Sequence, residues 1–260
     1  MIRLRINPAF SGLLQLHRLD TYPAVMQIDT GELIEENESR DVRRLQLDDQ
    51  VVYLKRTRSE KITSALESYA RGRLAHSKPF KEMLHFKQLA KLEFDVAEVV
   101  AVGEELRFGI PRRGFIMTAE VGGEDLAQVY QKVDDADQRR ILEQFGTLLG
   151  RLHDGGFFGS TRLKDIIYSG APRNNPKLTL IDRETRNPYP RTSGRKDIIE
   201  RLLLNVRRQI QAGERFSEQQ WSVFCENYCS SLSAEHNITS TQLLPQIIAL
   251  ASRKERNRFQ

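Results

Sequence analysis

The pattern of apolar and polar positions divides the chain into a strand-rich first part and a helical second part. Apolar residues alternate or form short runs over about the first 60 residues, which predicts strands. The run from Val42 to Leu54 is interrupted by the turn pair Asp48-Asp49 and predicts a β-hairpin. Segments 61–76 and 79–92 place apolar residues three and four apart and predict two helices, with Pro79 suited to a first helical turn. Strand character resumes in the segments AEVVAVGEE and RGFIMTAEV.

A change of pattern follows Gly122-Gly123, where a linker between two lobes is expected. The segment QRRILEQFGTLLGRLH carries a wide apolar stripe and predicts a helix that ends at Gly155-Gly156. A hairpin is predicted from Ile166 to Ile181 around the turn-rich SGAPRNNPK. Further helices are predicted near 196–211, 217–232 and 245–257, the last beginning at Pro245.

Composition indicates a soluble globular protein with room for a substantial core. The chain has 260 residues, of which 39% are hydrophobic and 29% charged, and no apolar run approaches the ~18 residues that span a bilayer. The opening segment lacks the apolar core of a secretory signal, and Cys225 and Cys229 suggest neither a disulfide framework nor a zinc site. A cytoplasmic protein is therefore expected. The net charge of +5 suits anionic partners, but a solvated basic surface accounts for it as well.

Several chemically suggestive residues occur in a fixed order. Lys55 falls at the end of the second strand of the predicted hairpin, and Glu82 follows on the inward face of a helix with Phe86 and Leu89. The helical part then supplies a helix ending in LH, the loop GGFFGSTRLKDIIY, and a strand LTLI that ends at Asp182. Each motif alone carries little information, whereas their order and spacing are specific.

This order resembles a protein-kinase-like fold and, more narrowly, the lipopolysaccharide core kinase family, the heptose and Kdo kinases of Gram-negative bacteria. The likeness covers about residues 35–232 and rests on VVYLKR, PFKEMLHF, LGRLHDGGF, LTLIDRET, RKDIIERLLLNV and FCENY. It implies an α+β, two-lobed fold. A β-rich lobe with an antiparallel sheet would occupy residues 1–120, and a mainly helical lobe residues 121–260.

The resemblance also implies ATP and Mg²⁺ as cofactors. Lys55 would contact the α- and β-phosphates while Glu82 holds its ammonium in place, and Asp182 would bind the metal ion. The linker would bind adenine through its backbone, and the residues concerned are Thr118, Ala119, Glu120 and Val121. For Lys55, Glu82 and Asp182 the alternatives are an ordinary basic strand residue, a helix-surface acid and a strand-terminating acid.

The loop departs from the kinase pattern of His, Arg and Asp followed by an Asn five residues after the Asp. The corresponding places hold Phe158, Gly159, Ser160 and Asp165. Ser160 cannot accept a proton as a carboxylate does, whereas Asp165 supplies a carboxylate in the metal-ligand place. Lys55, Ser160 and Asp165 are the catalytic candidates, and Asp165 and Asp182 the metal ligands. The turn EENESRDVRR, where a glycine-rich loop would cover the phosphates, has no glycine.

Two interpretations of the loop remain open. Because the transition state of phosphoryl transfer is loose, Asp165 and Asp182 could hold Mg²⁺ while Asp165 or a water molecule aligns the acceptor. Alternatively, the loop has lost its function, and the protein is a pseudokinase that binds nucleotide or a partner in envelope biogenesis. No recognition module supports a third class, a nucleic-acid binder, and no nucleic acid partner is expected.

The resemblance further implies that the phosphoryl acceptor is a lipopolysaccharide core sugar and that the reaction takes place at the cytoplasmic face of the inner membrane. A peripheral contact between the protein and this membrane is compatible with that location. Arg112, Arg113 and Arg186 are candidates to receive an anionic acceptor. His153 is interpreted as a packing and hydrogen-bonding residue. Asp197 would stabilise the catalytic loop or act as a helix N-terminal acid. Trp221, Phe224 and Tyr228, at helical spacing, are assigned to the core.

Overall fold

The structure is a computed structural model that describes residues 1–170, 176–183, 185 and 187–256. The chain divides into two units. The first consists of Met1–Val121 and Arg183–Pro188, and the second of Gly122–Asp182 and Tyr189–Gln260. The candidate residue Arg186 and the predicted hairpin turn at 171–175 lie outside the described residues.

Residues 1–121 are all described, and they contain a six-stranded sheet in which every pair of neighbours is antiparallel. Its strands are β1 (Ile2–Ile6), β2 (Glu32–Asn37), β3 (Arg40–Leu47), β4 (Gln50–Thr57), β5 (Val99–Arg107) and β6 (Ile110–Ala119). Their order across the sheet is β1-β5-β6-β4-β3-β2. The predicted hairpin is confirmed as β3 and β4, joined at Asp48-Asp49.

The expectation of strands throughout about the first 60 residues was wrong for two short helices, α1 (Ser11–Leu16) and α2 (Tyr22–Gln27). Leu14 and Val25 are fully buried in one apolar cluster with residues of the sheet such as Leu54 and Phe115. Each helix has only six residues. Such a segment is too short to show a helical period, and burial against the sheet stabilises it instead.

Two longer helices follow the hairpin, α3 (Ile62–Ala70) and α4 (Lys78–Lys91). The helix predicted over 61–76 is shorter than expected. It ends before Gly72, which has φ +65°, a conformation that glycine adopts without a steric penalty. Helix α4 matches its prediction closely, and Ser77 accepts a hydrogen bond from the Phe80 N–H at its N-terminus.

A buried ion pair joins α2 to the sheet. Arg56 on β4 is 4% exposed and Asp41 on β3 is fully buried, and Arg56 Nη2 lies 2.6 Å from Asp41 Oδ2. Arg56 Nη1 also donates to the main-chain oxygens of Met26 and Ile28, at 3.1 and 2.5 Å. One guanidinium therefore satisfies both a buried carboxylate and the carbonyl groups at the C-terminal end of α2.

The described part of the second unit is mainly helical. Its helices are α5 (Leu126–Lys132), α6 (Asp135–Asp154), α7 (Arg195–Ala212), α8 (Glu218–Ser230) and α9 (Ser240–Arg256), and its short antiparallel strands are β7 (Glu124–Asp125), β8 (Ile166–Ser169) and β9 (Lys177–Leu180). The predicted hairpin is confirmed in the pairing of β8 with β9. Among the described residues, no helix has the length and apolar character needed to cross a bilayer.

Helices α6 and α8 approach each other at two glycines. A Cβ atom at Gly146 would lie 2.6 Å from the Phe224 main-chain oxygen, and one at Gly150 would lie 2.5 Å from that of Tyr228. Side chains cannot fit at either position, and the helices pack backbone to backbone. The assignment of Trp221, Phe224 and Tyr228 to the core is confirmed, since each is at most 2% exposed.

The prediction that Pro245 begins the last helix was wrong, because α9 starts at Ser240 and contains Pro245 in its interior. Proline has no N–H and costs a helix one backbone hydrogen bond. Leu243 and Ile247, one turn apart, are both fully buried. Their burial offsets the lost bond and extends the helix on the N-terminal side of the proline.

Candidate active site

Lys55 and Glu82 are in direct contact in the first unit. Lys55 lies within β4, opposite Val42 of β3 and Ile116 of β6. Its Nζ is 3.0 Å from Glu82 Oε1. The Lys55 side chain is 18% exposed and the Glu82 side chain 6%, so the pair is largely shielded from water. A carboxylate in this position holds the ammonium at a fixed point beside the sheet.

Glu82 is directed inward by the helix that carries it. Its neighbours at helical spacing, Phe86 and Leu89, are 2% and 0% exposed, and α4 contacts β4, β5 and β6 through this face. The amphipathic pattern of α4 therefore determines where the carboxylate points. The distance between Glu82 and Lys55 in the sequence, 27 residues, gives no indication of this contact unless the sheet and helix are assumed.

Two residues near Glu82 were not singled out by sequence reasoning. The Arg183 N–H donates to Glu82 Oε1 at 3.4 Å, so that one carboxylate oxygen serves both Lys55 and the chain immediately after Asp182. Burial, together with the nearby charge of Arg183, lowers the pKa of His85 to about 3, which keeps this imidazole neutral. His85 follows Glu82 by one helical turn, and this spacing was the signal in the sequence that could have identified it.

The linker residues are largely engaged by the sheet. Thr118 is paired with Tyr53 and Val99 in the strand register. The Ala119 N–H donates to the Glu98 oxygen at 2.9 Å, and the Glu120 N–H to the Val51 oxygen at 2.9 Å. Within the described residues no backbone acceptor is found for the Val121 N–H. Of the four residues predicted to bind adenine, Val121 is therefore the one whose N–H is available.

A tight hairpin occupies the place of a glycine-rich loop. Strands β2 and β3 are joined at Glu38-Ser39, and both the N–H and the hydroxyl of Ser39 donate to Asn37 Oδ1. Arg40 Nη2 donates to both carboxylate oxygens of Glu35 at 3.0 Å. Side chains, and not glycine flexibility, thus hold this turn together. Ligand phosphates would meet carboxylates here as well as backbone N–H groups.

The loop that follows α6 in the second unit is anchored to α7. The Thr161 N–H donates to Asn205 Oδ1 at 3.0 Å, and Gln209 Nε2 donates to the Thr161 oxygen at 2.9 Å. Gln209 Oε1 also accepts from the Leu163 N–H at 3.4 Å. Asn205 and Gln209 are one turn apart and nearly fully buried. Two polar residues spaced i, i+4 on the apolar face of a predicted helix were the signal that sequence reasoning missed.

His153 and Asp197 can now be placed relative to this loop. His153 is buried, with Nδ1 2.7 Å from the Tyr228 hydroxyl and Nε2 3.3 Å from Asn205 Nδ2, as expected for a packing and hydrogen-bonding residue. Asp197 lies in the first turn of α7 and is exposed, which fits its interpretation as a helix N-terminal acid. The bonds to the loop come from Asn205 and Gln209.

Asp165 is buried and firmly paired with Arg162. Arg162 Nη2 donates to Asp165 Oδ1 at 2.7 Å, and Arg162 Nε and N–H both donate to Oδ2 at 2.9 Å. The hydrogen bond that Arg162 donates to Asp165, together with the charges of Asp165 and Asp182, raises the pKa of Arg162 above its usual value and outweighs the opposing effect of desolvation. The two residues close a single 3-10 turn, Leu163–Asp165, immediately before β8.

Asp182 lies one residue beyond the chain segment that contacts Asp165. The Ile181 N–H donates to the Asp165 main-chain oxygen at 3.1 Å. Asp182 is the next residue and is half-buried. Its negative charge contributes to the raised pKa of Arg162. Within the second unit, Asp182 thus directly follows a residue that is bonded to the Asp165 main chain, and Arg162 interacts electrostatically with both carboxylates predicted to bind metal. No cluster of three or more potential metal-ligating side chains occurs in the part of the chain that the structure describes.

These carboxylates suit magnesium in chemical type. Magnesium is bound through one or two carboxylates, with phosphate oxygens and water completing its coordination. Asp165 Oδ2 accepts two hydrogen bonds and Oδ1 one, and a carboxylate has about four lone-pair sites. Asp165 could therefore still offer Oδ1 to one cation, although the adjacent guanidinium of Arg162 would oppose it electrostatically.

Ser160, at the place of the usual carboxylate base, is half-buried in the loop and lines an open pocket of about 530 Å³. Its hydroxyl can orient a partner hydroxyl by hydrogen bonding but does not take up a proton at neutral pH. The arrangement can therefore position an acceptor without supplying a strong general base.

Comparison with known structures identifies the fold. No curated protein sequence gives a significant match. The chain is similar to a solved structure described as WaaP in complex with acyl carrier protein, with a TM-score of 0.66 and 16% identity, over 98% of this chain and 97% of that one. A MAP kinase from Leishmania major matches with a TM-score of 0.43 at 13% identity, over 92% of this chain and 66% of that one. The α+β, protein-kinase-like prediction is confirmed.

The family is shown by sequence. The model of the lipopolysaccharide kinase (Kdo/WaaP) family matches residues 26–228, close to the range of about 35–232 on which the resemblance was based. The matched segment contains Lys55, Glu82, Asp165 and Asp182. Because the match extends over well more than half of the 260 residues, the chain belongs to the lipopolysaccharide kinase (Kdo/WaaP) family.

Proposed function

We propose that this protein transfers the γ-phosphoryl group of ATP to a sugar hydroxyl of the lipopolysaccharide inner core, at the cytoplasmic face of the inner membrane. Membership of the family supports a kinase that uses ATP and a divalent metal. The observation that carries the proposal for this chain is the shielded Lys55–Glu82 ion pair at 3.0 Å. A buried ammonium held by a carboxylate is what phosphate binding requires, whereas an ordinary surface lysine needs no such support.

In this proposal the first unit binds the nucleotide. Lys55 donates to oxygens of the α- and β-phosphates while Glu82 fixes its position. The backbone of 118–121 contacts adenine, with the Val121 N–H as the donor because those of Ala119 and Glu120 are used in the sheet. The glycine-free hairpin around Glu38-Ser39 makes fewer backbone contacts to phosphate than a glycine-rich loop would.

Asp165 and Asp182 would hold Mg²⁺ in the second unit. The ion would neutralise charge on the β- and γ-phosphates and orient them. Arg162, paired with Asp165, stands beside both carboxylates and can donate a hydrogen bond to phosphate once a cation shares Asp165.

The acceptor hydroxyl would be oriented by hydrogen bonding and not deprotonated in advance. Ser160 Oγ can accept a hydrogen bond from that hydroxyl and direct its oxygen toward phosphorus. Because the transition state is loose and bond formation to the acceptor is slight, the proton can leave late, to water or to the transferred phosphoryl oxygens. Positioning then provides most of the rate enhancement.

A second candidate function is a pseudokinase that binds nucleotide or a partner in envelope biogenesis. The observation in its favour is the pairing of Arg162 with both oxygens of Asp165, in a loop that also has Ser160 where a carboxylate is expected. In such a protein the Arg162–Asp165 pair would be a structural element of the loop. ATP could still bind through Lys55 and the linker.

Two measurements distinguish these functions. For an active kinase, ATP should raise the melting temperature in a Mg²⁺-dependent manner that Asp182→Ala abolishes, and mass spectrometry of core oligosaccharide from cells lacking the protein should show a missing phosphate. A pseudokinase would show an ATP-induced shift but an unchanged core. If ATP has no effect on the melting temperature with or without Mg²⁺, the kinase and the nucleotide-binding pseudokinase are both wrong, and only a pseudokinase that binds a partner is left.

A further inference from the structure

An open pocket of about 530 Å³ in the second unit is lined by cationic side chains. Its walls include Ser160, Arg162, Lys164, Arg208, Gln211 and Glu214. The first three come from the loop and its 3-10 turn, and the others from the end of α7 and the residues just after it. The volume is within the range of small-molecule sites and would admit one or two sugar rings.

The charges in this pocket are not balanced. Arg162 is paired with Asp165, but among the residues that the structure describes neither Lys164 nor Arg208 makes an ion pair or a side-chain hydrogen bond. Among the described residues of the lining, Glu214 is the one carboxylate. Burial, and to a lesser degree the charge of Asp125, raises the pKa of Glu214 above its usual value.

The two chain segments that carry these cations are joined by bonds between the loop and α7. The Gln209 side chain bonds the main chain at Thr161 and Leu163. These two residues flank Arg162, and Leu163 directly precedes Lys164. On α7, Arg208 directly precedes Gln209, and Gln211 lies three residues after Arg208. Positive groups from two separate chain segments thus line one cavity, and the side chain of Gln209 joins the two segments.

We propose that this pocket binds a sugar bearing an anionic substituent, a carboxylate or a phosphate, through Lys164 and Arg208. Gln211 and Glu214 are suited to hydrogen bonds with sugar hydroxyls, since an amide both donates and accepts and a carboxylate accepts. Ser160 lies in the same lining, so a hydroxyl of the bound sugar can reach it. That this ligand is the phosphoryl acceptor rests on the proposed function, whereas anion binding itself does not.

The pocket also changes which basic residues are candidates for acceptor recognition. Arg113, suggested by the sequence, is hydrogen-bonded to Glu105 on the neighbouring strand, and this bond raises the pKa of Arg113. Its charge is thereby largely compensated. Arg112 is exposed on β6, and Arg186 lies outside the described residues. Lys164 and Arg208 are better candidates because they line a concave surface and make no ion pair with any carboxylate in the part of the chain that the structure describes.

Binding can be measured without ATP, on the full chain, by isothermal titration calorimetry with three probes: Kdo, which carries a carboxylate, a hexose 6-phosphate, and a neutral methyl hexoside. Lys164→Ala and Arg208→Ala are each expected to weaken binding of a charged probe by roughly tenfold, the effect of losing one charge-assisted hydrogen bond. Arg207→Ala is the matched control, because Arg207 is exposed on the same turn of α7 and does not line the pocket. Equal melting temperatures for the three variants establish that folding is unchanged.

Preference for Kdo, for the phosphate or for both supports the proposal and identifies the substituent. Failure of both charged probes to bind, equal binding of the neutral sugar, or equal effects of the Arg207 and Arg208 substitutions would overturn it. The proposed phosphoryl transfer is tested separately by the Mg²⁺-dependent ATP shift and by core oligosaccharide analysis. A protein that binds the anionic sugar through Arg208 but never phosphorylates it would refute the kinase proposal and leave the pocket assignment intact.

Discussion

The Lys55 ammonium and the Glu82 carboxylate, 27 residues apart in the sequence, lie 3.0 Å apart on facing elements of the first unit. The strand fixes one partner and the helix the other. Because both side chains are mostly buried, separating them within the folded protein would leave two buried charges without a partner, which is costly. The ion pair is therefore a fixed structural relationship, and its contribution to nucleotide binding can be measured.

We expect Lys55→Met and Glu82→Gln each to weaken ATP binding by tenfold or more, because the first removes the phosphate ligand and the second its orienting partner. The double variant should be little worse than Lys55→Met alone, since Glu82 acts through Lys55. Titration calorimetry with ATP and Mg²⁺ measures all three affinities. Lys87→Met is a suitable control, because Lys87 is exposed on α4. Additive losses in the double variant would show that Glu82 does not act through Lys55.

The Arg162–Asp165 pair leads to a prediction about magnesium. Arg162→Met removes a competing cation from both oxygens of Asp165, so the Mg²⁺ concentration that gives half of the ATP-induced thermal shift should fall, by roughly tenfold. Asp165→Asn should raise the same concentration. If neither substitution alters the Mg²⁺ dependence, Asp165 is not a metal ligand, and the pair is a structural element of the loop, as the pseudokinase interpretation requires.

The buried pair of Asp41 and Arg56 should dominate the local stability of the first unit. Asp41→Ala leaves the Arg56 guanidinium buried without its carboxylate and should lower the free energy of unfolding by about 3–5 kcal/mol. Urea denaturation measures this change. Asp49→Ala, at an exposed position of the same hairpin, should have a small effect. Equal effects of the two substitutions on the free energy of unfolding would mean that water can replace the Asp41 carboxylate beside Arg56 at little cost.

Glu104 gives a pH dependence whose sign follows from its surroundings. Burial alone would raise its pKa, but hydrogen bonds from His76 and the Ser77 N–H and the charge of Arg3 outweigh burial and lower it below the usual 4.5. The folded state therefore gains stability from ionised Glu104 above about pH 4.5 and loses it as the pH falls through the lower, folded-state pKa. The difference in unfolding free energy between wild type and Glu104→Gln should accordingly be larger at pH 5 than at pH 3. A difference that stays constant over this range would contradict the lowered pKa.

Gly150 and Gly12 should respond to alanine in opposite directions. Both lie in helices, where alanine is intrinsically favoured by about 0.8–1 kcal/mol. At Gly150 the new Cβ would meet the Tyr228 main chain at 2.5 Å and force α6 and α8 apart, which should cost about 1–3 kcal/mol net. At Gly12 nothing lies within 4 Å, and the substitution should be neutral or stabilising. Thermal denaturation of the two variants compares them directly, and a stable Gly150→Ala would show that the helix pair can relax.

Much of the fold could be predicted from local patterns. The β3–β4 hairpin, α4 and α6 have strong periodicity and clear turn or capping residues, and each appeared close to its predicted bounds. The six-residue helices α1 and α2 did not, because so short a segment contains less than two turns and depends on burial. Pro245 misled the prediction for the same reason, since buried Leu243 and Ile247 extend α9 past a residue that usually begins a helix.

The candidate site divides in a similar way. Lys55, Glu82 and Asp182 could be proposed from sequence because their order along the chain is characteristic of a family. The bonds of Arg162 to Asp165, of Gln209 to the loop, and of the Ala119 and Glu120 N–H groups to the sheet could not, because a backbone or side-chain group shows its partner only after distant segments have packed. These bonds decide which groups can still meet a ligand.

By itself the sequence determined the succession of elements, the family and the residue types available for chemistry, because periodicity, turn residues and motif order are local properties of the chain. Only the tertiary structure decided which charges are already compensated. It pairs Arg162 with Asp165 and leaves Lys164 and Arg208 facing a cavity. The physical reason is that electrostatic compensation and burial depend on distances between segments far apart in sequence, and folding alone sets those distances.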